Sequence, residues 1–245
     1  MSPLVTIARR EFRSYWDSPL AYVVICLGFL ALGVVFFTNV MDQSFWQVDR
    51  ATLQSMFEFT PLGLIFLVPV ITMRLMAEER RSGTLEMLIT LPVKDSDVVM
   101  GKYLGALGLV LVLVVATLIY PIAMFKWPWD LGSIDMNPVW SAYLGLVLYS
   151  AATVSIGLLV SSLTESQAVA FFLTLAVLLA LWILGVGAEH TQGTLSDVLA
   201  YASTRSRLEG FVKGLIDTRD IVFFVSITVL CLVFSFRALE RRKWA

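Results

Sequence analysis

Six apolar blocks, at 20–38, 59–76, 103–125, 138–161, 168–187 and 220–236, decide what this chain can fold into. Each is close to the roughly 20 residues a helix needs to cross a bilayer core. In hydrocarbon the backbone must satisfy its own N–H and C=O groups, so such blocks become helices. The 245-residue chain is only 15% charged, against about 25% in soluble domains. The expected fold is an all-α polytopic membrane protein, a single transmembrane domain over 1–245 with six spans.

The flanks refine this picture. Residues 3–17 set Leu4, Ile7, Ala8, Phe12, Tyr15 and Trp16 broadly on one side at helical spacing, with Arg9, Arg10 and Arg13 on another. That pattern fits an amphipathic helix lying in the interface, although an ordinary flanking segment also fits. Ser18-Pro19 ends it. Pro61 and Pro69 predict kinks in the second span. Trp127 and Trp129 fit an aromatic belt. Gly101 and Gly105 have GxxxG spacing, which either permits close helix packing or is incidental. Cys26 and Cys231 both lie in apolar blocks and read as small lipid- or bundle-facing residues rather than a disulfide. No removable signal peptide is expected.

Six spans place both termini on one side, and basic residues choose the side. Arg9, Arg10, Arg13, Arg74, Arg80, Arg81, Lys94, Lys102, Arg237, Arg241, Arg242 and Lys243 share the side of the termini, two-thirds of the 18 Lys and Arg. That side is therefore expected to be cytoplasmic. The link between the fifth and sixth spans carries Leu195, Val198, Leu199, Leu208, Phe211, Val212, Leu215 and Ile216, which form two short apolar faces. These read as two short helices dipping into the outer interface, or as a plain loop.

Several chemistries find no support. His190 is the single histidine and stands beside Glu189; a metal site needs several converging ligands, so none is expected. There is no G-x-x-x-x-G-K-[ST] phosphate loop, no G-x-S-x-G elbow and no H-E-x-x-H motif. No charge stands near a span centre, which argues against a proton-coupled carrier or a charged-ring channel. Thr117, Tyr120, Tyr149, Thr153, Ser155 and Thr174 supply polar groups within the spans. They line a path for an amphipathic substrate or hold helices together. The net charge of −1 gives no reason to expect nucleic acid.

The longest polar interruption before the far end, 73–102, lies between the second and third blocks. Glu78, Glu79, Arg80, Arg81 and Glu86 offer polar contacts, and Leu85, Leu88 and Ile89 offer apolar anchors. An amphipathic helix of this kind seats in a groove on a soluble partner, or else lies on the lipid as a solvated charge run. With no coupling charge in the spans, a partner that supplies energy is the more interesting reading.

The run Glu79-Arg-Arg-Ser-Gly-Thr-Leu-Glu-Met-Leu-Ile-Thr-Leu-Pro92, followed by Gly101-Lys102 before the third span, resembles the signature of the type 2 (ABC-2) ABC exporter permeases. The resemblance extends to the Arg-Arg-Glu-Phe start and the link after the fifth span, and covers essentially the whole chain. Residues 211–220 and the Arg242-Lys-Trp244 ending are similar to the permease of the gliding-motility-associated subfamily.

The resemblance implies an elbow helix over 3–17 with Arg9, Arg10 and Arg13. It implies a cytoplasmic coupling helix over 78–91 that docks on an ATPase, with Glu78, Glu79, Arg80, Arg81, Gly83, Thr84, Leu85, Glu86 and Leu88 as its contact residues. It implies re-entrant helices over 195–216. The chain would itself be non-catalytic and hold no cofactor, ATP and magnesium being bound by a partner ABC ATPase dimer. A second permease chain, identical or paralogous, membrane lipids and an extracytoplasmic auxiliary protein are further expected partners. The expected location is the bacterial cytoplasmic (inner) membrane, with both termini cytoplasmic. Two other functions compete: an ATPase-driven mechanotransmission scaffold that moves an outer partner without transport, and an intramembrane lipid-modifying enzyme.

Overall fold

A computed structural model describes residues 3–37, 53–81, 95–125 and 136–240. Gly83, Thr84, Leu85, Glu86 and Leu88 lie outside the described residues, as do Trp127, Trp129 and the basic tail from Arg241. Among the described residues the regular structure is helical, with no strand. In chain order the helices are α1 (Pro3–Trp16), α2 (Pro19–Phe37), α3 (Gln54–Thr72), α4 (Ala77–Arg81), α5 (Asp95–Ala116), α6 (Ile119–Phe125), α7 (Met136–Leu163), α8 (Gln167–His190), α9 (Thr194–Ala202), α10 (Thr204–Val212) and α11 (Thr218–Glu240).

Five stretches are long and apolar enough to cross a membrane among the described residues: Met56–Arg81, Asp95–Ile122, Met136–Leu163, Gln167–His190 and Thr218–Glu240. This is a multi-pass membrane protein. The first expected span corresponds to α2, whose described apolar part, Tyr22–Val34, is shorter than the other five.

The third span differs from its expected 103–125. Its helix starts at Asp95, so Lys102 stands inside the helix rather than in a loop before it. Asp95 and Asp97 occupy the first turn, where the helix dipole favours negative charge. The helix breaks at Thr117–Leu118. Pro121 explains the break: it has no N–H to give to the carbonyl four residues back. The Thr117 carbonyl accepts from Tyr120 N at 3.1 Å instead.

α7 is the hub, packing against α3, α5, α8, α10 and α11. Its 28 residues rise about 42 Å, longer than the hydrocarbon core. Ser150, Thr153 and Ser155 are buried on it and donate to carbonyls of its own preceding turn, at 2.7, 3.0 and 2.7 Å. Tyr149 Oη donates to the Pro61 carbonyl of α3 at 3.4 Å, and Thr117 Oγ1 lies 3.2 Å from Tyr143 Oη. The Tyr149 and Thr117–Tyr143 contacts tie helices together, while the hydroxyls of Ser150, Thr153 and Ser155 are spent within α7. Thr174 Oγ1 is buried with no partner among the described residues. Pro61 and Pro69 both lie inside α3.

Candidate functional site

The residues of the polar interruption meet the rest of the chain at one end of the bundle. There the last turn of α3, the turn at Met73–Met76, α4, the start of α5 and the end of α7 come together with α1.

α1 is held by close backbone approach. Gly101, Gly105 and Gly108 form a groove on α5 that receives Ile7, Glu11 and Phe12. A Cβ on Gly105 would lie 2.6 Å from the Glu11 Cβ, and one on Gly101 would lie 2.7 Å from the Ile7 Cγ2. Of the two readings of the GxxxG spacing, the structure takes packing. Arg9, Arg10 and Arg13 face outward and are exposed. At its end Tyr15 is fully buried and donates to the Ile71 carbonyl of α3 at 3.0 Å. The Arg74 guanidinium sits 4.3 Å above the Tyr15 ring. Burial pushes the Tyr15 phenol well above its usual range, against the pull of Arg74, so it remains a donor at neutral pH.

Lys102 is the centre of the site. It is 2% exposed, and its Nζ lies 2.7 Å from Glu79 Oε1 of α4 and 2.9 Å from Glu11 Oε1 of α1. A buried ammonium is costly unless paired, and here two carboxylates from two other helices pair it. One lysine thus joins α1, α4 and α5.

Ser161, on α7, fixes the start of α4. Its Oγ accepts from Met76 N at 3.1 Å and Ala77 N at 3.2 Å, and donates to the Met73 carbonyl at 3.2 Å. Two of the N–H groups a helix start leaves unmet are satisfied in this way. Arg80 Nη1 reaches the Thr164 carbonyl at 3.4 Å. Glu78 and Arg81 remain exposed.

Of the expected contact residues, the structure therefore separates an inward pair, Glu79 and Arg80, from an outward pair, Glu78 and Arg81. The sequence reading missed Glu11 and Ser161, and took Lys102 for a loop cation. Glu11 had a visible signal, since it falls four residues from both Ile7 and Tyr15 and so shares their face.

At the opposite end, α9 packs on α8, and α10 packs on both α7 and α8. Arg207 Nη1 lies 2.7 Å from Asp220 Oδ1, and its guanidinium stacks 4.2 Å from Tyr201 and 5.2 Å from Phe223. Ser203 caps α10 by accepting from Arg205 N and Ser206 N. Phe211 is buried against Gly145, and its carbonyl accepts from Ser141 Oγ at 2.7 Å. Glu189 pairs with Arg205 at 3.1 Å, and His190 Nδ1 lies 3.0 Å from the Val186 carbonyl. Among the described residues no three His, Cys, Asp or Glu converge.

A family model described as ABC-2 family transporter protein matches residues 42–236, which takes in the polar interruption, four of the five long apolar stretches whole and most of the fifth. The chain belongs to the ABC-2 transporter family. It is accordingly the transmembrane permease component of an ABC transporter, a family whose permeases work with an ABC ATPase. No curated protein matches this permease.

Proposed function

We propose that this permease is driven by a separate ABC ATPase through the segment that begins at α4, and that the end of the bundle carrying α1 and α4 is cytoplasmic. Supporting the orientation, Arg9, Arg10, Arg13, Arg80 and Arg81 gather at that end, as the positive-inside rule requires. On this reading α2 completes six spans, both termini are cytoplasmic, and the membrane is the bacterial inner membrane. α1 is the elbow helix, and α9 with α10 forms the re-entrant pair. The active unit contains two permease chains, identical or paralogous, and two ATPase subunits, which bind ATP and magnesium. The narrower similarity to the gliding-motility-associated subfamily rests on residues 211–220 and 242–244.

The observation that carries the reading is the Lys102 junction. An element that docks on a motor must be stiffly joined to the spans it moves. Glu79 on α4 shares a buried ammonium with Glu11 on α1, and the lysine that provides it stands on the third span. Force applied at α4 has a short polar route into α1 and α5. Closure of the ATPase pair would then bias the spans between two states.

The exposed pair tests the proposal without disturbing the junction. Charge reversal at Glu78 and Arg81 should abolish co-purification of the ATPase and its transport-linked hydrolysis, with the permease itself still folded. Unaltered co-purification and hydrolysis in the Glu78→Arg, Arg81→Glu double variant would sink the docking assignment.

A further inference from the structure

The outer face of α1 carries charge that nothing in the described chain answers. Arg9, Arg10 and Arg13 fall within about 100° of arc around the helix axis. Ile7, Glu11 and Tyr15 occupy the opposite arc and are taken up by α5 and α3. All three arginines are exposed. Their guanidinium groups pair with no carboxylate among the described residues. Of the two acids on α1 and the turn that closes it, Glu11 is turned inward to Lys102 at 2.9 Å. Asp17 is exposed, and against three arginines it leaves the face with a net positive charge.

The face ends where the apolar surface of the chain begins. Trp16 meets Tyr22 edge to face at 5.7 Å across the Asp17-Ser18 turn, and Phe12 meets Trp16 at 6.0 Å. Trp and Tyr collect at the headgroup level of a bilayer. Beyond them the start of α2 turns Tyr22, Val23 and Leu27 outward, each more than half exposed. At 1.5 Å per residue, Arg13 stands about 4.5 Å along the axis from Trp16 and Arg9 about 10 Å, on the side away from α2. The headgroup layer is roughly 5–8 Å deep, and the flexible arginine stem covers the difference.

We infer that this face binds the headgroups of anionic phospholipids, from the leaflet at the α1–α4 end. Arg9 and Arg13 are one turn apart and are neighbours on the helix surface. Their two guanidinium forks can close on one phosphodiester, a geometry arginine suits well. Three cations against one carboxylate favour a headgroup of net negative charge. A zwitterionic headgroup would bring its own ammonium against the same arginines. An acidic protein fits this face less well, because it would have to reach down to the aromatic pair, where the face borders the outward apolar residues of α2. A chain that spans a bilayer is all this requires, so it stands apart from the ATPase reading.

The test measures lipid retained by the purified full chain, using native mass spectrometry after equilibration in mixed micelles of phosphatidylglycerol and phosphatidylcholine. The expected result is phosphatidylglycerol retained about tenfold over phosphatidylcholine, equivalent to about 1.4 kcal/mol. The triple variant Arg9→Gln, Arg10→Gln, Arg13→Gln should lower this ratio at least about fivefold. The triple Lys variant at the same positions keeps the charges and should stay within about twofold of wild type. Lys213→Gln with Arg219→Gln, exposed cations at the other end of the bundle, should leave the ratio unchanged. Circular dichroism and gel filtration confirm that each variant is folded, and Arg9→Gln with Arg13→Gln serves if the triple Gln variant is not. Wild-type protein without a preference, or Gln variants that keep it, would overturn the inference. So would a Gln variant that keeps its lipid ratio but no longer co-purifies with the ATPase, because the face would then belong to a protein. Competition by free glycerol phosphate as strong as that of phosphatidylglycerol would also overturn it, because the bilayer would then contribute nothing.

Discussion

Lys102 and Glu79 are separated by 23 positions and meet at 2.7 Å, with the lysine side chain 3% exposed and the glutamate side chain 22% exposed. The pair is anchored on the third span at one end and on α4 at the other, and Glu11 closes it from α1 at 2.9 Å. Removing the lysine leaves two carboxylates facing each other in a partly dry site. Breaking a buried pair this way costs roughly 3–5 kcal/mol. Lys102→Met should therefore fall near the low end of that range, given that water reaches the glutamates. Thermal unfolding in detergent measures the loss. Adding Glu11→Gln and Glu79→Gln should recover part of it, and a triple variant no more stable than Lys102→Met would show that the charges are not coupled.

The α1–α5 contact depends on the absence of a Cβ at Gly105, where one would approach the Glu11 Cβ to 2.6 Å and the Ala8 carbonyl to 3.2 Å. Gly105→Leu should pry α1 off α5, at a cost of about 1–3 kcal/mol for overpacking. Gly108 offers the contrast. Its Cβ would meet only the edge of the Phe12 ring, at 3.1 Å, which can swing aside. Limited proteolysis should cut α1 readily in Gly105→Leu and little more than wild type in Gly108→Ala. Equal protection in all three would refute the groove as the fixing element.

Ser161 takes two backbone N–H groups at the start of α4. Ser161→Ala leaves both buried without an acceptor, a penalty of about 1–3 kcal/mol. Amide exchange at Met76 and Ala77 should speed up by at least about tenfold, while Tyr149 and Leu146 in the centre of α7 keep wild-type exchange. Unchanged exchange at Met76 and Ala77 would mean that other groups fix the start of α4.

These relationships mark where sequence reading stopped. The apolar blocks announced helices because hydrocarbon allows little else, and the one-sided pattern of 3–17 announced α1. The start of the third span was misplaced by eight residues, from Asp95 to Tyr103, because polar residues at 95–102 read as a loop. Propensity cannot show that Lys102 is paired twice, and pairing is what makes its burial tolerable. Ser161 looked like the end of a span, and its role depends on a turn some 85 residues away in sequence. The GxxxG spacing was visible, but only the position of Ile7, Glu11 and Phe12 assigns it to α1.

Arg207 makes the last of these long-range ties, at the opposite end. It pairs with Asp220 at 2.7 Å, donates to the Tyr201 carbonyl from Nε and Nη2 at 3.3 Å, and stacks on Tyr201 and Phe223. Both partners of the ion pair are mostly buried, at 12% and 13% exposure. The planar guanidinium serves all of these contacts at once, and an ammonium cannot, so Lys is a poor replacement. Arg207→Lys should cost about 2 kcal/mol, within the range for losing charged hydrogen bonds. Asp220→Asn should cost a similar amount, because it also removes a negative charge from the first turn of α11. If the ion pair fastens α10 to α11, either variant will expose the connection at 213–217 to protease while the rest of the chain resists. The double variant Arg207→Lys, Asp220→Asn should then be no worse than the sum of the singles and measurably better than it. Strict additivity would show that the two residues act apart, and that the fold at this end rests on Phe211 and its hydrogen bond from Ser141.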